Sequence, residues 1–65
     1  MDIKSEIKQR EKEQRLIGLQ TAYFRLKMDL AAYEANNDKE GIDLAKKQIE
    51  SCEKSYAAIE NITTE

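Results

Sequence analysis

Side chains able to make and break bonds are few in kind in this chain. Cys52 is the lone cysteine, and histidine is absent. Without an imidazole, neither a Ser-His-Asp nor a Cys-His arrangement can be assembled, because each needs that ring to take a proton from the nucleophile. The same absence removes the common zinc sets and the Glu-x-x-His ligands of di-metal bundles. Gly18 and Gly41 stand alone, so no glycine-rich loop is available to cradle a phosphate. Cys52 reads as a small buried residue in a reducing setting, with nothing in the sequence to activate its thiol. The 13 carboxylates would suffice for a paired-acid mechanism by count. A hairpin of helices, however, is expected to offer no concavity that holds a substrate or shifts a pKa. The expectation is a chain that is not an enzyme, with no catalytic residue, no cofactor and no metal.

Composition points the same way. At 65 residues the chain has room for one small helical hairpin domain, residues 1–65. A chain of that size buries too little apolar surface to be comfortably stable alone, and usually relies on disulfides, a metal or a partner. Cys52 alone makes no internal disulfide, and the missing histidine weakens the case for metal, so a protein partner becomes the leading expectation. The net charge of −2 gives no general attraction to nucleic acid or to an anionic membrane. Residues 1–35 carry a net +1 and residues 36–65 a net −3, which favours folding one half onto the other, weakly and in a salt-sensitive way. No run of about 18 apolar residues exists and no apolar leader follows the start, so no membrane segment is expected. The expected location is the cytoplasm, or a virion. Asn61-Ile62-Thr63 matches a glycosylation sequon, which has no role without secretion.

The elements that position these residues are all-α. Residues 2–35 hold no proline and one glycine, and are rich in Glu, Lys, Gln, Arg, Leu and Ala. Asn36-Asn37-Asp38 breaks the run: Asn tolerates the left-handed backbone that ends helices, and Asn or Asp caps the next one. Asn37 with Glu40 forms a capping-box variant, and Asp38, Glu40 and Asp43 suit the positive end of a helix dipole. Helix 1 is therefore predicted over about residues 2–36, the turn over 36–38, and helix 2 over 38–61, with a frayed end. The pairs Glu6–Arg10, Glu11–Arg15, Asp43–Lys47 and Glu50–Lys54 are spaced i,i+4 in the favourable order. Ala31–Tyr56 resembles in outline one unit of a tetratricopeptide array. No 34-residue period accompanies it, and a lone unit is not stable, so nothing about function is drawn from it.

Apolar residues recur in alternating steps of three and four. Helix 1 carries Leu16, Leu19, Tyr23, Leu26, Leu30 and Tyr33, and helix 2 carries Ile42, Ala45, Ile49, Cys52, Tyr56 and Ile59. Both rows fit the a and d positions of a heptad. Folding helix 2 back about Asn37–Asp38 places opposite one another residues whose numbers add to 75, and this register matches each member of one row to a member of the other. Ala45 faces Leu30 and Cys52 faces Tyr23, so large meets small. The expectation is an antiparallel, coiled-coil-like hairpin.

Helix 1 carries a second row: Ile17, Thr21, Phe24, Met28, Ala31 and Ala35. It lies roughly 150° around the helix from the first. A lone hairpin covers only one of two such faces, and an uncovered apolar face usually marks an interaction surface. The simplest cover is a second copy, giving a four-helix bundle or larger assembly with helix 1 inside. Toward the N-terminus the seam turns polar, and residues 1–9 are expected to overhang helix 2 with nothing to pack on. Ile3, Ile7 and Arg10 share a face there and form a candidate handle for a partner's groove.

Function is accordingly expected to be protein–protein interaction, as a small self-associating or assembly subunit. The alternative is a small regulator, inhibitor or adaptor, of the phage or bacterial accessory type, on a larger enzyme or complex. Nucleic-acid binding is weaker, because Lys4, Lys8, Arg10, Lys12 and Arg15 are interleaved with Asp2, Glu6, Glu11 and Glu13.

Overall fold

A computed structural model describes residues 2–65; Met1, the first residue of the expected overhang, lies outside them. Two helices, α1 (Ser5–Ala35) and α2 (Lys39–Glu60), pack against each other along their length. The result is a rod 51 Å long and about 15 Å across. Among the described residues no strand is formed, and no helix is long and apolar enough to cross a membrane.

Helix α1 begins three residues later than the expected residue 2. Lys4 is extended (φ −61, ψ 143) and offers no side-chain cap, and its carbonyl accepts from the Ile7 and Lys8 amides at 3.0 and 3.1 Å. The turn forms a tight C-terminal motif. Asn37 takes positive φ (53°), the Asp38 amide donates to the Tyr33 carbonyl at 2.9 Å, and the Asn37 amide donates to that of Glu34 at 3.2 Å. These two bonds are the paired closure that satisfies the orphan carbonyls of a helix end.

The cap of α2 differs from the expected box. Asp38, not Asn37, is the capping residue, and its carboxylate accepts from the Gly41 amide at 3.0 Å. Asn37 is already committed to the left-handed position that closes α1, so the cap shifts one residue on. Glu40 then falls one place short of the position that would reach back to the cap. Gly41 is buried: a Cβ there would sit 2.5–2.8 Å from the Tyr33 ring. The ring lies so close to the α2 backbone that only glycine fits there.

All six seam residues of α1 are half-buried. On α2, Ala45, Ile49 and Cys52 are buried, and Ile42, Tyr56 and Ile59 are half-buried. Contacts between the helices follow one register. Gly41 meets Tyr33, Gln20 donates to the Tyr56 hydroxyl at 3.1 Å, and Lys12 reaches the Ile62 carbonyl. Each of these pairs lies within one position of the numbering rule. The Cys52 thiol donates to the Leu19 carbonyl at 3.3 Å, one helical turn along. Of the spaced ion pairs, Glu50–Lys54 closes at 3.1 Å; among the described residues Glu6–Arg10, Glu11–Arg15 and Asp43–Lys47 do not. Exposed pairs of this kind contribute little, because water competes for both partners.

Candidate protein-interaction face

The second row of α1 lies open along its whole length. Ile17, Phe24 and Met28 keep 60%, 63% and 51% of their surface in solvent, and Thr21, Ala31 and Ala35 are also exposed. Packing on α2 uses the opposite side of the helix, so α1 is clothed on one side and bare on the other. Thr21 turns its hydroxyl back to the Ile17 carbonyl at 3.1 Å, which leaves its methyl group to the face. Leu44 on α2 is exposed at 53%, but no comparable row accompanies it.

Gly18 borders the second row and is exposed, with nothing within 4 Å of a Cβ placed there. Glycine in an exposed helix interior costs roughly 1 kcal/mol relative to alanine. Within the hairpin no contact requires it. Sequence reasoning noted Gly18 only as an isolated glycine; its position beside the bare face appears once the packed side of α1 is known.

The N-terminal end departs from expectation. The chain beyond α2 does not fray into solvent but lies back on the first turns of α1. Lys12 donates to the Glu60 and Ile62 carbonyls, both at 2.8 Å, and Thr64 donates to the Gln9 side chain at 2.9 Å. The ammonium group thereby satisfies orphan carbonyls at the negative end of α2. Ile3 and Ile7 line a cleft of about 410 Å³ with Ile59, Ile62 and Thr64. Residues 2–9 are therefore not a bare overhang. Heptad reading missed this because the tail is not helical, and a period of 3.5 says nothing of where an irregular segment lies. Ile3 and Ile7 remain 49% and 39% exposed, and Arg10 is exposed on the same end.

This contact makes a direct prediction. Lys12→Ala is expected to lower stability by about 1 kcal/mol, since a charged donor at a solvent-accessible helix end is lost. Amide exchange should quicken at residues 61–65 and stay unchanged near the turn; a tail that remains equally protected contradicts the clamp.

Besides the N-terminal cleft, an open cleft of about 270 Å³ lies between Leu19, Tyr23, Cys52 and Tyr56. Two helices alone leave such gaps along the edge of their seam, because no third element covers it. Cys52 is buried at its floor as a free thiol. Among the described residues no cluster of His, Cys, Asp or Glu is arranged to hold a metal ion.

Comparison of the chain with family models, with curated proteins and with solved structures finds no match.

Proposed function

We propose that this chain is a non-enzymatic protein-interaction module that self-associates through the second face of α1. The observation that carries this reading is the exposed row Ile17, Phe24 and Met28, apolar and continuous on the side of α1 that α2 does not cover. Contiguous apolar surface of this kind is costly in water and marks a site of association. A second copy is the simplest cover, because a two-fold arrangement lets one face bury itself twice, giving four helices with α1 inside. Such a unit suits a small assembly subunit. The alternative, a regulator or adaptor docking on a larger protein, draws on Ile3 and Ile7, which keep exposed surface beside the N-terminal cleft.

Sedimentation equilibrium of the purified chain tests the reading. The expected mass is a multiple of the 7.5 kDa chain at micromolar concentration, falling on dilution. A species of 7.5 kDa at every concentration up to about millimolar counts against self-association and in favour of a foreign partner.

A further inference from the structure

We infer that the cover of this face is α1 of a second copy, running antiparallel and crossing at Gly18. This rests on the self-association reading above. Extended toward the N-terminus of α1, the exposed row runs Ile7, Arg10, Gln14, Ile17, Thr21, Phe24, Met28, Ala31 and Ala35, alternating steps of three and four without a break. Its flanks carry the information on orientation. On one side lie Glu11, Gly18 and Arg25; on the other lie Glu6, Glu13, Gln20, Lys27 and Glu34. All of them are exposed.

In an antiparallel pair, residues of like flanks meet. When the helices cross at Gly18, Glu11 of each chain meets Arg25 of the other, and Glu13 meets Lys27. That makes four attractive contacts across the two-fold axis. Like charges meet only at the ends, Glu6 against Glu34. Sliding by one heptad toward the C-terminus removes the attractive pairs and sets Glu13 against Glu34. Sliding by two sets Arg25 and Lys27 against their own copies. A parallel pair brings Glu6 against Glu11 twice and gains no attraction.

Two uncharged features agree with the same register. Ile7 falls opposite Ala31 of the other copy, so by the two-fold large meets small at both ends. At the centre Gly18 meets Gly18 of the other copy. That accounts for a glycine which the hairpin does not use, since the absent side chains let the backbones approach. Both apolar rows of α1 are then covered, with the two α2 helices outside.

The test is a charge exchange measured by sedimentation at low salt. Glu11→Lys with Glu13→Lys in one chain, and Arg25→Glu with Lys27→Glu in another, each turn four attractions into four repulsions. Exposed pairs are individually weak, so each variant alone is expected to self-associate about 100-fold more weakly than the parent chain, and an equimolar mixture to regain parental strength. Gly18→Leu is the second variant: it favours the helix, so the hairpin folds, but it should weaken association at least about tenfold by holding the backbones apart. If the parent chain is monomeric, self-association falls and this register with it. If the parent associates but the charge variants keep its strength, the mixture fails to recover, or Gly18→Leu binds as well as the parent, the register alone is overturned and self-association stands.

Discussion

Ile49→Ala is expected to leave the hairpin mostly unfolded under conditions where the parent chain is folded. Ile49 retains 7% of its surface and sits at the middle of α2, between buried Ala45 and Cys52. Truncation removes three carbons from the one large side chain among the buried residues, and neither neighbour can expand to fill the space. Losses of about 2–5 kcal/mol are usual for such a change. A two-helix chain without disulfide or metal has about 3–5 kcal/mol in total, so little remains. Leu26, its partner in the register, is only half-buried. Leu26→Ala therefore belongs near 2 kcal/mol, the lower end of that range. Urea unfolding followed by circular dichroism, at one fixed protein concentration, measures both. Equal losses at the two positions, or a loss near zero at Ile49, would show that the centre of the core lies elsewhere.

The second large effect is on assembly. Phe24→Asp is expected to weaken self-association by about 1000-fold or more while the helical signal of the hairpin barely changes. Phe24 is 63% exposed, so the hairpin gains little from it. In a two-fold assembly the ring is buried once per copy, at about 2 kcal/mol each, and the carboxylate that replaces it must also be desolvated. Each tenfold change in affinity corresponds to about 1.4 kcal/mol, so loss of two rings accounts for the expected factor. Light scattering reads the mass and circular dichroism the fold. An unchanged mass places the association surface off this face; a lost helical signal means that Phe24 supports the hairpin itself. Ile49→Ala and Phe24→Asp thus separate the α1–α2 seam from the open face of α1, one change acting on fold and the other on assembly.

Sequence alone carried the helices, the break at Asn36–Asp38 and both apolar rows, because these depend on local propensity and on a period that holds for any helix. Antiparallel pairing was legible as well, since one register matches every seam residue of one helix to a member of the other. Tertiary structure decided what local rules leave open. The cap moved from Asn37 to Asp38, because closing α1 had already claimed Asn37 for the left-handed position. Gly41, unremarkable in sequence, became the place where the Tyr33 ring lies on α2. Lys12 was one charge among many until the end of α2 arrived beside it, and the tail expected to fray was held there instead. The first two depend on how the turn closes, and the third on residues brought together from distant parts of the chain; periodicity ranks such meetings no differently from the rest. Which rows exist is therefore a property of the sequence. The sequence also pairs the Leu16–Tyr33 row with α2 and leaves Ile17, Phe24 and Met28 open; that the chain beyond α2 lies back on the first turns of α1 only the tertiary structure decides, because no local period governs an irregular segment.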